Sequence, residues 1–275
     1  MKQFFLASFC LMMIGIIHHS SYAQSLMSGF PLPTDKPIVQ DLANYKFSYV
    51  LTFVPDSTKL NSTVKNQLVL LIGKNVSKFF VQNDTKIVKN ARGESAIRSV
   101  EGRGLGGTEI FKYFKTNKET IITNIERQGY LYEEDISTLN WNITNESMVI
   151  LSYNCQKATT TFLGRQYEAW FTKDIPINNG PWKLGGLPGL ILKANDVQNY
   201  YIFECTGIES LKTKIPIVKY DLKYISTTRV DLNKLVKNLH IRTVETLKSM
   251  GIQVGSKNGD ANKAFTFPYN PLERN

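Results

Sequence analysis

The chain is poor in the residues that make reactive centres. It has three histidines and three cysteines in 275 residues, and two of the histidines and one cysteine, His18, His19 and Cys10, lie in an N-terminal segment that reads as removable. Lys2 precedes an apolar run from Phe4 to Ile17, broken only by Ser8 and Gly15. That run is too short to span a bilayer but has the length of a signal peptide core. The small residues Ser21 and Ala23 flank Tyr22 as a cleavage signal, so residues 1–23 are expected to be removed, leaving Gln24 first. His240 is then the only imidazole, which excludes multi-histidine metal centres, and no metal or cofactor site is expected. No G-x-S-x-G elbow, HExxH helix or phosphate loop is present, and no catalytic residue is assigned. After the leader, no further transmembrane helix is expected.

What is present is the composition of a protein with a core: 42% hydrophobic residues and 20% charged, with a formal charge of +10. Disorder throughout is excluded. The basic surplus is spread along the chain without an RNA-binding aromatic motif, so nucleic acid is not an expected partner, whereas attraction to anionic envelope surfaces is.

Period-two alternation dominates over helical spacing. Tyr45, Phe47, Tyr49, Leu51 and Phe53 fall on one face, with Lys46, Ser48 and Thr52 opposite, the pattern of a strand with one buried side. Residues 67–72 and 76–81 flank Gly73-Lys74-Asn75 and read as a hairpin. Further strands are predicted at 109–115, 120–126, 128–133, 148–152, 155–162, 165–172, 190–194 and 200–208, with turns at Gly164 and around 195–199. The expected fold is mainly β: an antiparallel meander sheet curved into a half-barrel, with a C-terminal amphipathic helix packed on it. That helix is read from Leu232, Leu235, Val236, Leu239, Val244 and Leu247, with Asp231 as its cap and Gly251 as its stop. The expected organisation is an extended segment over 24–41, one β-rich domain over 42–251 and a mobile tail over 252–275. Residues 83–107 are expected to form a polar insertion with a short helix near 87–100.

Several motifs have bland readings. Gly102-Arg103-Gly104-Leu105-Gly106-Gly107 contains a literal GxGxxG, but no strand leads into it and a strand follows, so a turn is expected rather than a dinucleotide site. Glu133-Glu134-Asp135 lacks the pattern of a calcium loop and reads as a solvated strand end. Asn61, Asn75, Asn83, Asn142 and Asn145 begin N-x-Ser/Thr sequons, which also arise by chance in an asparagine-rich chain. Cys155 and Cys205 are an even pair in an oxidising compartment. A disulfide ranks first, two buried thiols second, and a reactive thiol with His240 third.

The most distinctive segment runs from Asp174 to Leu192. Pro176, Pro181 and Pro188 stiffen it, and Gly180, Gly185, Gly186 and Gly189 admit positive φ, so it is expected to hold one shape between two strands. Within it Gly186-Leu187-Pro188-Gly189-Leu190-Ile191 spells the motif of the GLPGLI family of exported bacterial envelope proteins. The similarity continues through Tyr153-Asn154-Cys155-Gln156-Lys157-Ala158, Gly164-Arg165, Tyr167 and Ala169-Trp170-Phe171-Thr172. This resemblance implies the periplasm or outer envelope of a Gram-negative bacterium, and carries no known activity.

Two roles for the loop are set against each other. In one, Trp182, Leu184 and Leu187 plug an end of the sheet. In the other, an apolar sheet face holds an apolar or amphiphilic small molecule, contacted by Trp170, Trp182, Gly185, Gly186, Leu187, Pro188 and Gly189, while Arg165 and Lys183 meet an acidic head group. A third reading is an accessory subunit that docks an envelope protein through an exposed strand edge or a tail. An enzyme would have to use Cys155 with His240, or carboxylates among Glu168, Asp174 and Glu204. A noncatalytic binding or accessory protein is the expected function.

Overall fold

The computed structural model describes residues 37–82, 85–89, 95–99, 105, 107–125, 128–251 and 269–274. The expected signal peptide (1–23), residues 24–36, most of the GxGxxG segment, Asn83 and residues 252–268 lie outside the described residues.

The protein is mainly β. Twelve strands form one open sheet: β1 (Pro37–Phe53), β2 (Val64–Ile72), β3 (Val76–Val81), β6 (Glu109–Tyr113), β7 (Lys118–Ile125), β8 (Gln128–Asp135), β9 (Asn142–Ile150), β10 (Tyr153–Phe162), β11 (Arg165–Thr172), β12 (Leu190–Asp196), β13 (Tyr201–Tyr220) and β14 (Ile225–Ser226). The spatial order is β14-β8-β7-β6-β3-β2-β1-β13-β12-β11-β10-β9. All pairs are antiparallel except β14 with β8, where two residues of β14 run parallel. Strands β4 (Thr85–Lys89) and β5 (Ser95–Ser99) pair with each other as a separate hairpin, where a short helix was expected near 87–100.

The topology is two meanders rather than one. The first runs from β1 out to β8. The chain then passes to the far edge, β9, and meanders back to β13, which closes against β1. Local alternation reveals hairpins but not this jump, because it lies in the non-periodic residues 136–141. The jump also shows that the sheet curls. In a flat sheet β8 and β9 would stand about 48 Å apart at the usual strand spacing, whereas six linking residues reach at most about 24 Å.

One face of the curled sheet encloses the main core. Phe47, Tyr49, Leu51 and Phe53 of β1 are buried in it, with Leu68, Leu70, Phe79, Ile110, Ile121, Tyr167, Phe171 and Phe203, as the alternation in β1 predicts; Tyr45 emerges at the rim. A smaller cluster lies on the opposite face, where Ala43 and Ile217 of the β1–β13 ribbon pack on Val69, Leu71, Val76, Phe111 and Ile122. The β2–β3 turn is held by Asp41, whose carboxylate accepts the amides of Asn75 at 2.6 Å and Val76 at 3.0 Å. These backbone bonds keep its pKa below the ordinary carboxylate value even though burial opposes them.

The C-terminal helical segment is two helices, α1 (Arg229–Ile241) and α2 (Thr243–Ser249). Its cap is Thr228 rather than Asp231: Thr228 Oγ1 accepts the Asp231 amide at 3.1 Å and donates to the Asp231 carboxylate at 2.8 Å, so Asp231 is the acidic residue of the first turn that the cap engages. Only Leu232 of α1 is fully buried. Gly251 ends the segment at φ 77°. No helix among the described residues is long and apolar enough to cross a membrane.

The far C-terminus departs from the expected mobile tail. Tyr201 Oη donates to the Asn270 carbonyl, Asn270 Nδ2 donates to the Val54 carbonyl at 2.8 Å, and Leu272 is buried in the main core. A polar, asparagine-bearing segment gave no hint of docking because its anchors are buried polar groups elsewhere in the chain.

Candidate functional site

The loop between β11 and β12 folds inward and closes one end of the curled sheet. Its shape is fixed by its own backbone: Leu184 N donates to the Pro181 carbonyl, Leu190 N to Ile175 and Ile191 N to Asn179, at 3.0–3.1 Å. Asn178 Oδ1 accepts the Gly186 amide, and Trp141 Nε1 donates to the Gly185 carbonyl at 2.7 Å, tying the β8–β9 link to the loop. Trp182, Leu184 and Leu187 are each at most 2% exposed. The Trp182 ring lies 5.4 Å from Phe162 and 6.1 Å from Tyr167, and Tyr49 Oη donates to the Ile191 carbonyl at 2.7 Å. These side chains occupy the space that the ligand reading assigned to an apolar guest.

The expected ligand contacts do not converge. Trp170 is on the outer face of β11, with Lys157 Nζ 5.8 Å from its ring, while Trp182 is inside. Strand alternation separates them, since Tyr167, Ala169 and Phe171 face the core. Gly186 and Gly189 serve the loop's geometry, with φ of 88° and 157°.

Arg165 was expected to meet an acidic head group and instead lies wholly inside. Its Nη1 bonds Asp196 Oδ2 at 2.6 Å, with both side chains fully buried. Nε donates to the carbonyls of Pro271 and Leu272 at 3.1 Å, and Nη2 to Asn270 Oδ1 at 2.7 Å. The guanidinium also rests 4.8 Å from the Tyr201 ring. Every edge of the fork is used, so Arg165 is the buried anchor of the C-terminal segment.

Lys183 is likewise internal. It pairs with Glu134 at 2.6 Å and Glu273 at 2.9 Å and donates to Tyr132 Oη at 3.0 Å. Burial alone would lower its pKa, but Glu273, Tyr132 and Glu134 outweigh that and hold it above the ordinary lysine value. Arg229 of α1 joins at 3.2 Å from Glu134. Glu134 therefore belongs to an internal network rather than to a solvated strand end.

Next to this network runs a polar row that the sequence reading missed. Ser77, Lys112, Glu119 and Glu134 are successive register partners across β3, β6, β7 and β8, on the face that carries Ile110, Ile121 and Tyr132. Asn179 of the loop bridges the row, donating to Ser77 Oγ at 3.0 Å. Lys112 Nζ donates to the Leu184 carbonyl at 3.0 Å. Burial lowers the Lys112 pKa to about 8 despite the charge of Glu119. Glu119 is fully buried and neither of its oxygens receives a hydrogen bond. Burial raises its pKa to about 7, against the pull of Lys112 and Lys183. It can bond the Glu134 carboxylate only when it carries a proton itself. The available signal was charged residues at inward positions of two strands that otherwise alternate as core.

Cys155 and Cys205 are free, buried thiols in this structure, where a disulfide had ranked first. Burial pushes both up to about 11, leaving them protonated and weakly nucleophilic at neutral pH. His240 Nδ1 donates to the Val236 carbonyl, 2.7 Å away, and the ring packs 5.1 Å from Tyr269. Glu168 and Glu204 form outward cross-strand pairs with Lys157 and Lys193 at 3.1 and 3.0 Å. Among the described residues no group of three or more His, Cys, Asp or Glu side chains is placed to hold a metal.

The structure also leaves an edge open. β9 ends the sheet and is exposed along most of its length, with Met148 and Val149 projecting, Val149 being 66% exposed.

Comparison with known proteins gives a partial likeness. Residues 107–235 match the family described as N-glycanase peptide, N-terminal domain, a stretch that includes the loop and β9 but is under half of the chain. No curated protein matches. Structures of PNGF-II in space groups P21 and C2 align with TM-scores of 0.49 and 0.48 at 16% identity, covering 72% of this chain. The alignment spans about a third of those proteins, 34% and 33% of their chains.

Proposed function

We propose that this chain is an exported, noncatalytic accessory protein of the bacterial envelope, of the GLPGLI family, that docks a protein partner by strand addition along β9. The observation that carries the reading is the contrast between a filled interior and an open edge. The loop that looked like a ligand lip is packed as core, and the candidate thiols are buried and protonated. β9, in contrast, is a nine-residue edge strand paired on one side only, with β10, and it carries exposed apolar side chains. An extended segment of a partner would continue the antiparallel ladder and seat its own apolar residues against Met148 and Val149. Likeness over residues 107–235 to something described as an N-terminal domain supports a module that works alongside other parts.

The test is a photo-cross-linking side chain at Val149, compared with one at exposed Gln166 of β11. The expected result is a defined adduct from position 149 in the native envelope, absent from position 166 and lost when Ser147→Lys places a charge on the edge. Absence of that adduct, together with release of an apolar small molecule on denaturing the purified protein, would favour the carrier instead.

A further inference from the structure

A second surface, remote from β9, has a different chemistry. Beyond the end of β2 the ribbon of β1 and β13 continues alone, pairing Pro37–Ala43 with Ile215–Tyr220. Its inner side, Ala43 and Ile217, is packed on the sheet. Its outer side leaves Val39 and Leu42 exposed, Val39 by 57%. Between Ala43 and Tyr45 the register jumps from Ile215 to Ser210, so residues 211–214 flare out as a bulge that presents Lys212 and Lys214 to solvent.

Two turns meet the ribbon from its inner side, through Asp41. Asn75 of the β2–β3 turn donates its amide to Asp41 and accepts from the amide of Phe114 at 2.9 Å. That sets the β6–β7 turn, with exposed Phe114 and Lys115, beside the β2–β3 turn with exposed Lys74. The acids nearby are engaged: Asp41 by backbone amides, and Glu209 by Lys46 at 2.8 Å. Asp221, just past the ribbon, stands between Lys219 and Lys223 in the chain. Lys212 and Lys214 on the ribbon, and Lys74 and Lys115 on the two turns beside it, thus have no acidic partner among the described residues.

We propose that this ribbon and its two turns adsorb to an anionic lipid surface. Exposed apolar groups on a ribbon that also carries unpaired lysines suit a headgroup layer, where the lysines meet phosphates while the apolar side chains enter the acyl boundary. A protein interface is the poorer fit, because lysine is depleted at such contacts. The site is separate from β9 and does not depend on the accessory reading; a protein held at β9 would be presented at the membrane face.

The experiment is flotation of the chain, purified from its own host, with phosphatidylcholine vesicles with and without phosphatidylglycerol, at low and high salt. Binding is expected only to the phosphatidylglycerol vesicles and to weaken with salt. Lys212→Gln and Lys214→Gln should each weaken it about fivefold, and Val39→Ser with Leu42→Ser should remove the part that survives high salt. All four positions are on the exposed side, so unchanged thermal unfolding serves as the folding control. Equal binding to both vesicles, no binding, binding that these variants leave intact, or occupation of this face by a protein in a lipid-independent complex would each overturn the proposal.

Discussion

Gly189 sits so close to Thr172 that a Cβ built on it would lie 2.0 Å from the Thr172 carbonyl oxygen. The two residues bracket the loop, one at the end of β11 and one just before β12, so the loop closes only if position 189 has no side chain. Gly189→Ala should destabilise the protein by about 3 kcal/mol or more, measured by urea unfolding. Gly186→Ala, whose Cβ would come no nearer than 3.5 Å to Trp141, meets only the backbone cost of φ 88° and should lose about 1 kcal/mol.

Arg165 and the C-terminal segment should behave as one unit. Ending the chain at Pro268 removes the carbonyls of Pro271 and Leu272 and the amide of Asn270 from a buried guanidinium, with an expected loss of about 3 kcal/mol. In an Arg165→Met background the same truncation should cost clearly less, because the tail then has no buried guanidinium to satisfy; the unpaired Asp196 is common to both chains of that background. Equal costs in the two backgrounds would mean that the tail and Arg165 are uncoupled.

The buried carboxyl of Glu119 makes stability depend on pH. Its pKa is about 7 in the folded protein against an ordinary 4.5, so the folded state holds a proton that the unfolded chain releases. Below about 4.5 both states are protonated; as pH rises through 4.5 to 7 this group's contribution falls. Glu119→Gln cannot titrate, so the stability difference between variant and wild type should move in favour of the variant from pH 4.5 to 7. Thermal unfolding across that range reads it, and a difference that stays flat would contradict the assignment.

The β9–β10 hairpin turns on Leu151 and Ser152, at φ 50° and 68°. Both residues adopt a conformation that asparagine and glycine take at lower cost. Leu151→Asn with Ser152→Gly should therefore stabilise the protein by about 1 kcal/mol, seen as a higher urea midpoint with unchanged slope.

The sheet was legible because its strands obey period two: Phe47, Tyr49, Leu51 and Phe53 point inward as their spacing says, and Gly73-Lys74-Asn75 turns β2 into β3. The order of strands was not, because the pairing of β13 with β1 and the passage from β8 to β9 join residues far apart in sequence, with no local signal. The loop was legible as a rigid object from its prolines and glycines. Its inward direction was not, because a tryptophan and a lysine at its tip suit a lip as well as a plug. What decides between them is the set of acceptors waiting for Lys183 on β8 and in the C-terminal segment, and those come from distant parts of the chain. The docking of Asn270 and Leu272 was hidden for the same reason.

The 174–192 loop is part of the core and not a lid. Amide hydrogen exchange measures this directly at Leu184, Leu190 and Ile191, whose donors bond within the loop. These amides are expected to exchange only with global unfolding, at the same free energy as the amides of Phe47 and Leu51 in β1. Exchange of the loop amides through a much lower-energy opening, while those of β1 stay protected, would show a loop that opens over a binding site and would contradict it.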